Sequence, residues 1–389
     1  MPIPAARLNQ LPTYVFAIIG ERIRQLRAQN IDVIRLDIGS PDLPPPDIVV
    51  EKLAQSAQQK EHHGYTDYKG TPDFRVAVAE HYKRRFGVEL NPETEVLPLL
   101  GSKEGIVNLA LAYIGPGDLV LVPDIGYPSY SMGARLAGGE VHWVPILPEN
   151  GFLTDFDSIP LEAAAQAKLL WVNYPNNPTG AVASADYYQR AVDYCRDHDI
   201  ILASDNPYID IVYDGGPSLS ALQADGAKEW VVEFMSFSKS YNMAGWRLGA
   251  AVGSATALKH LLKVKSNMDS GHFKPVYDAG IAALTHTTPE WAAERNRIYQ
   301  GRRDRVMAAL PQIGLRADAP KGSLYIWAEV ENGAVAEYVE DALCSAHVAL
   351  THGEAYGPGG KRYVRFSLCG KDERLDEALE RLKQWYSKK

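Results

Sequence analysis

The residues best suited to chemistry lie in one short stretch, 234–249, which reads FMSFSKSYNMAGWRLG. It holds Lys239 between two serines. Mostly apolar runs at 231–234 and 248–252 predict a strand on each side of an irregular loop. Because burial beside apolar strands disfavours a charged ammonium, a lysine placed there offers the neutral amine that forms an imine with an aldehyde.

The same stretch carries groups that suit a phosphate. Ser236 and Ser238 offer hydroxyl donors, and Arg247 offers a permanent cation. A phosphate-bearing aldehyde held by a lysine is pyridoxal 5′-phosphate. A lone lysine is usually a solvated surface residue, so it is the Ser-x-Ser-Lys and Gly-x-Arg-x-Gly frame that favours a cofactor site.

Three further groups follow predicted strands, at the edge where open α/β sheets bind ligands. A Gly-Ser turn at Ser102 opens a helix and suits a phosphate, although many α/β loops look alike. Tyr127 can stack on a ring or simply pack. Asp205 ends a predicted strand, where a buried carboxylate needs a partner. That partner can be a protonated ring nitrogen of the cofactor; alternatively, Asp205 caps the start of the next helix.

Composition limits the other possibilities. The chain has 389 residues, 46% apolar and 23% charged, which predicts a globular protein of two domains. A net charge of -8 argues against a nucleic-acid or anionic-membrane partner. The three cysteines are scattered and the first residues lack an apolar signal core, so we expect a reducing cytoplasmic location. We expect no metal site at the adjacent His62 and His63.

Taken together, the motifs resemble the class I/II aminotransferases, the aspartate aminotransferase fold family. The resemblance is carried by the Lys239 stretch, by the Asn-Asn-Pro-Thr-Gly segment at 176–180, and by the Asp-x-x-Tyr spacing at 205–208. It implies an α/β protein of PLP fold type I, with a large domain built on a mostly parallel seven-stranded sheet and a smaller α/β C-terminal domain. The domain boundaries we expect are 1–45 for an N-terminal helix and active-site loop that pack with the small domain, 46–285 for the large domain and 286–389 for the small domain.

The resemblance also implies roles for individual residues. Lys239 would hold pyridoxal 5′-phosphate and move the proton, with Asp205 and Tyr208 as its catalytic partners. The implied cofactor-binding residues are Tyr65, Ser102, Lys103, Tyr127, Asn177, Asp205, Tyr208, Ser236, Ser238, Lys239 and Arg247. The implied substrate-binding residues are Tyr14, Gly39, Lys103, Tyr127, Asn177, Asn267 and Arg365.

Two of these roles have structural consequences. Tyr65 would reach the cofactor phosphate of a neighbouring subunit, which implies a homodimer with a shared active site. Arg365 would bind the substrate α-carboxylate through two hydrogen bonds of its guanidinium group. The alternative without a function is a charged residue on an edge strand that faces water.

Within the family, three segments resemble the LL-diaminopimelate aminotransferase branch. They read LPLLGSKEG at 97–105, NYPNNPTG at 173–180 and KSNMDSG at 265–271. Tyr68 stands where better-known members of that branch carry a glutamate. The resemblance therefore implies a reaction of lysine biosynthesis that moves an amino group from LL-diaminopimelate to 2-oxoglutarate by ping-pong kinetics.

Other functions remain open at this point. The same motifs are compatible with aspartate, alanine or aromatic amino acid donors, and with a lyase of the same fold. A nucleotide-binding α/β protein is the third class; the chain lacks both Gly-x-Gly-x-x-Gly and Gly-x-x-x-x-Gly-Lys-Ser/Thr.

Overall fold

The computed structural model describes residues 2–5, 8, 11, 15–331 and 333–389, so the predicted substrate residue Tyr14 lies outside the described residues. The strands are β1 Ile34–Arg35, β2 Val96–Leu99, β3 Leu119–Pro123, β4 Glu140–Val144, β5 Ala167–Val172, β6 Ile201–Asp205, β7 Val231–Ser236, β8 Gly249–Gly253, β9 Leu315–Arg316, β10 Tyr325–Val330, β11 Val348–Ala349, β12 Thr351–His352 and β13 Tyr363–Ser367. The helices are α1 Val15–Ala28, α2 Asp47–Ala57, α3 Pro72–Phe86, α4 Ser102–Tyr113, α5 Ser129–Ala137, α6 Leu161–Gln166, α7 Ala185–Asp197, α8 Ala227–Trp230, α9 Phe237–Ser240, α10 Ala255–Lys265, α11 Lys274–His286, α12 Pro289–Ala309, α13 Val335–Cys344 and α14 Asp372–Tyr386.

The larger sheet has seven strands in the order β2-β8-β7-β6-β5-β3-β4. All neighbours are parallel except β8, which is antiparallel to both β2 and β7. Its inner strands are almost continuously apolar and buried, as expected when helices cover both faces of a sheet. The predicted mostly parallel seven-stranded sheet is confirmed.

A smaller antiparallel sheet has the order β12-β13-β10-β9. Arg365 lies on β13 between Trp327 of β10 and Thr351 of β12, and only 2% of its surface is exposed. The alternative of an edge-strand charge facing water is therefore wrong.

The segment before the Gly39 loop is attached to the smaller sheet. β1 pairs in parallel with β11, and the backbone N–H of Ser367 donates to the carbonyl of Leu36 at 2.7 Å. Ile34 and Leu36 pack in one hydrophobic cluster with residues of β10, β13 and α14. Ile34 and Leu36 therefore pack with the smaller sheet, while the division into 1–45, 46–285 and 286–389 stays a prediction.

The structure differs from the sequence prediction at three places near the sheet edge. Lys239 lies on α9, one helical turn, rather than in an irregular loop, because Ser236 caps that turn by accepting from the Ser238 N–H. The sequence pattern predicts a turn at 101–105 before a helix at 106–114, whereas α4 already begins at Ser102. α11 was not predicted, since its small residues give little helical pattern.

Among the described helices, none is long and apolar enough to cross a membrane.

Candidate active site

A cavity of about 370 Å³ opens where the carboxyl ends of the parallel strands meet the smaller sheet. It brings together residues that are far apart in the chain, such as Asp37 and Arg365, which are 328 positions apart and hydrogen-bonded. The predicted site residues that line it are Gly39, Ser102, Lys103, Tyr127, Asn177, Asp205, Tyr208, Ser236, Ser238, Lys239, Arg247 and Arg365.

Lys239 projects from α9 into this cavity and is half-buried. Its Nζ donates a hydrogen bond to the carbonyl oxygen of Gly39. An added Cβ at Gly39 would overlap the ring and hydroxyl of Tyr325, so only glycine lets the loop approach this closely.

One end of the cavity is built like an anion cradle. Gly101, with a φ of 81°, is the residue before α4, and Ser102, the first residue of α4, lines the cavity. Arg247, itself at a φ of 59°, donates to the Ala244 carbonyl at 2.9 Å and lies 3.5 Å from Ser238 Oγ. The start of α4, a serine hydroxyl and a guanidinium therefore converge, which suits a phosphate group.

The cavity wall also holds a buried carboxylate. Asp205 Oδ2 accepts a hydrogen bond of 2.7 Å from Tyr130, whereas Oδ1 is buried without a partner among the described residues. Burial raises the pKa of Asp205 to about 7, against the opposing effect of the Tyr130 bond. Asn173 holds the backbone here by donating to the Asp205 carbonyl at 2.6 Å. Such a carboxylate is suited to meet a cationic donor.

Arg365 is held as an oriented, buried fork. Its Nη1 donates to Asn177 Oδ1 at 3.0 Å and its Nη2 to the Asp37 carbonyl at 2.5 Å. Its guanidinium carbon lies 4.0 Å from the ring centroid of Tyr325 and 4.7 Å from that of Tyr356. Its Nε is buried without a partner in the part of the chain that the structure describes, so a donor remains for a ligand.

Several residues of the site were not predicted from the sequence. Tyr325 donates to or accepts from the Tyr208 hydroxyl at 2.9 Å, and Tyr356 lines the wall beside Arg365. Both come from the smaller sheet and its loops, and no local motif marks them. Tyr130 did carry a signal, because it ends the segment GYPSY at 126–130, which also contains the predicted residue Tyr127.

Tyr65 and Asn267 do not line the cavity. The Tyr65 side chain is 92% exposed, and Asn267 is exposed with its amide bonded to the Lys263 carbonyl at 2.8 Å. They lie on neighbouring loops, which Thr66 Oγ1 joins by a 3.1 Å bond to the His272 carbonyl. These two residues are therefore available to another molecule rather than to this cavity.

The chain is similar to known proteins over nearly its whole length. Residues 31–382 match the family model described as aminotransferase class I and II. An LL-diaminopimelate aminotransferase of Moorella thermoacetica is 46% identical over 381 residues, covering 98% of this chain and 97% of that protein.

Solved structures agree with this likeness. BacF of Bacillus subtilis in its apo form has a TM-score of 0.95 and 37% identity, with 99% of each chain covered. A probable N-succinyldiaminopimelate aminotransferase of Thermus thermophilus has a TM-score of 0.90 and 39% identity, covering 95% of this chain and all of the other.

Proposed function

The chain belongs to the class I and II aminotransferases, and from this premise we propose that it transfers an amino group from LL-diaminopimelate to a 2-oxo acid such as 2-oxoglutarate. It is an aminotransferase that uses pyridoxal 5′-phosphate. The substrate is the part we add, and the name of its curated relatives is the first support for it.

Two groups of residues in the cavity wall fit this cofactor. Asp205 Oδ1, buried and without a partner among the described residues, suits the protonated ring nitrogen. The cradle at Ser102, Ser238 and Arg247 suits the phosphate. Bound pyridoxal phosphate supplies a carbon that takes up and returns the amino group, and a protonated ring that accepts electrons from the substrate α-carbon.

The roles we propose for the protein's own residues follow from their contacts. Arg365 binds and orients the substrate α-carboxylate through the fork that Asn177 and the Asp37 carbonyl hold in place. Lys239 Nζ, at the Gly39 loop, takes the proton from the α-carbon of the amino donor and, in the second half of the reaction, gives a proton to the α-carbon of the amino acid formed from the 2-oxo acid. Tyr208 lines the cavity, and its hydroxyl is held in place by the hydroxyl of Tyr325 at 2.9 Å.

A second cavity supports a substrate with two polar ends. It has a volume of about 440 Å³ and shares Phe16, Tyr127 and Tyr356 with the first. Its charged lining residues are Arg135, Glu354 and Lys361, none of which forms an ion pair with another described residue. Unpaired charges of both signs match the distal ammonium and carboxylate of a diaminodicarboxylate, whereas alanine offers neither.

A donor panel tests the proposed substrate. The purified enzyme is given 2-oxoglutarate with LL-diaminopimelate, aspartate, alanine or an aromatic amino acid, and glutamate is measured. We expect the highest kcat/KM with LL-diaminopimelate; a higher value for any other donor overturns this assignment. Ammonia release without an acceptor would instead reveal a lyase.

We also propose a homodimer in which Tyr65 contributes to the partner's site. The loops at 64–70 and 266–273 expose large apolar side chains, with Tyr68 51%, Met268 61% and Phe273 43% exposed. Light scattering of the purified enzyme tests the homodimer, and a monomer at assay concentrations contradicts it.

We also propose a reducing cytoplasmic location, which is consistent with cysteines that are all free thiols.

A further inference from the structure

A separate cleft lies behind the turn that carries Lys239. It has a volume of about 440 Å³ and is bounded by the C-terminal ends of α3 and α11, by Ser240 and Tyr241, and by the start of α12. It shares no lining residue with the reaction cavity.

The cleft contains more positive than negative charge. Its lining includes the guanidinium groups of Arg84, Arg85 and Arg295 but, among the described residues, a single carboxylate, Asp210. Arg85 lies 3.7 Å from that carboxylate, and Arg84 donates to the Leu284 carbonyl at 2.8 Å. One carboxylate therefore faces three permanent cations.

Arg295 is the most buried of these cations, with 2% of its surface exposed. It donates to the carbonyls of Ser240 and Asp210 and to Asn296 Oδ1, and it forms no ion pair within the described ranges. Burial lowers the pKa of Arg295 in spite of the nearby Asp210. A buried guanidinium that lacks a counter-anion is costly, and an anionic ligand would relieve that cost.

Two more polar atoms in the wall have no partner in the described structure. They are His81 Nδ1 and Thr287 Oγ1, both buried. Burial, together with Arg84 and Arg85, lowers the pKa of His81 to about 4, so the ring is neutral at pH 7. Unsatisfied buried donors and acceptors call for a ligand or water.

We propose that this cleft binds a small dianion, a phosphate group or a dicarboxylate, at a site distinct from the reaction cavity. Guanidinium groups match both anions in geometry as well as in charge. The volume suits a small metabolite. Arg295 also donates to the carbonyl of Ser240, the residue after Lys239. The ligand would therefore contact a side chain that is bonded to the backbone next to the reactive lysine.

The test uses the cofactor-saturated enzyme, so that the phosphate cradle of the reaction cavity is filled. Inorganic phosphate and succinate are titrated separately at pH 7 while the histidine ring signals are followed by NMR, with His81→Gln identifying the His81 signal. We expect a saturable shift of that signal with at least one anion. The anion that produces it identifies the source of the charge.

A double variant checks that the arginines carry the binding. Arg84→Gln with Arg85→Gln is expected to weaken the affinity at least about tenfold, as the loss of charge-assisted hydrogen bonds implies. The control, Arg190→Gln with Arg196→Gln, changes the net charge equally at exposed positions on α7. A His81 signal that neither anion shifts, or a double variant that binds like the control, overturns the proposal. The His81 titration of the unsubstituted enzyme decides the matter even if the double variant does not fold.

Discussion

The hydroxyl of Tyr130 donates a hydrogen bond of 2.7 Å to one carboxylate oxygen of Asp205, while the other oxygen is buried without a partner in the described part of the chain. One protein donor is therefore too few for a buried carboxylate. The cofactor-free protein carries this cost, and the ring nitrogen that we propose as the partner of Asp205 would remove it.

The first prediction concerns the pH dependence of the cofactor-free protein. Burial raises the pKa of Asp205 from 3.8 to about 7, so its contribution to stability is full below about pH 4 and is lost as the pH rises through 7. Asp205→Asn removes this loss, which amounts to about 4 kcal/mol at most. Relative to the variant, the unsubstituted protein should lose free energy of unfolding between about pH 4 and pH 7, the interval between the unfolded and the folded pKa of Asp205.

Urea unfolding of the cofactor-free proteins at the two pH values measures this difference. Asp186→Asn, at an exposed position in the first turn of α7, is the control and should follow the unsubstituted protein. Parallel pH profiles for Asp205→Asn and the unsubstituted protein would show that Asp205 does not bear the cost.

The second prediction tests the anion cradle. An alanine Cβ at Gly101 would overlap the Arg247 guanidinium, and the φ of 81° adds backbone strain. Gly87→Ala is a matched control, because Gly87 has a φ of 71° and open space around it. Both variants should lose about 1–2 kcal/mol of stability, but only Gly101→Ala should bind pyridoxal phosphate at least about tenfold more weakly. Absorbance titration measures the affinity, and equal affinities in the two variants would contradict the cradle.

The third prediction tests the role of Lys239. Lys239→Arg keeps the charge and the length but removes the primary amine. After borohydride reduction, mass spectrometry should find the cofactor covalently attached to the unsubstituted enzyme and absent from the variant. The control Lys263→Arg, at an exposed position of α10, should behave like the unsubstituted enzyme. Cofactor trapped on the Lys239→Arg chain would mean that another amine is the anchor.

The fourth prediction concerns Arg365. Arg365→Lys keeps a cation but loses the fork that Asn177 and the Asp37 carbonyl hold. We expect kcat/KM to fall roughly a hundredfold, equivalent to about 3 kcal/mol, with an unchanged cofactor spectrum. Arg362→Lys, an exposed arginine that pairs with Glu329, is the control and should keep its activity. Similar losses in both variants would place the carboxylate elsewhere.

The fifth prediction separates the distal end of the substrate from the reacting end. Glu354→Gln removes an unpaired carboxylate from the second cavity. The KM for LL-diaminopimelate should rise about tenfold, a value typical of one lost charged contact, while the KM for alanine should not change. Steady-state kinetics with both donors measures this. A rise for both donors would indicate a general disturbance of the site rather than distal recognition.

The sequence alone determined the fold class, and it predicted the proposed cofactor-binding residues along the larger sheet. Lys239, Asp205 and Asn177 follow buried strands, and parallel strands end at the same edge of a sheet, so motifs read one at a time converge without knowledge of long-range contacts. Their local frames also specify the backbone, as the Ser236 cap of the Lys239 turn illustrates.

Only the tertiary structure decided what faces that edge. Tyr325, Tyr356 and Arg365 come from the smaller sheet and its loops. Their approach to Gly39 and Lys239 depends on the backbone bonds that join β1 to β11 and Leu36 to β13. The basic cleft beside Ser240 is equally invisible in the sequence, because Arg84 and Arg295 lie on helices that are far apart in the chain. Local pattern encodes strands and turns, whereas packing between distant segments sets which charges are buried together.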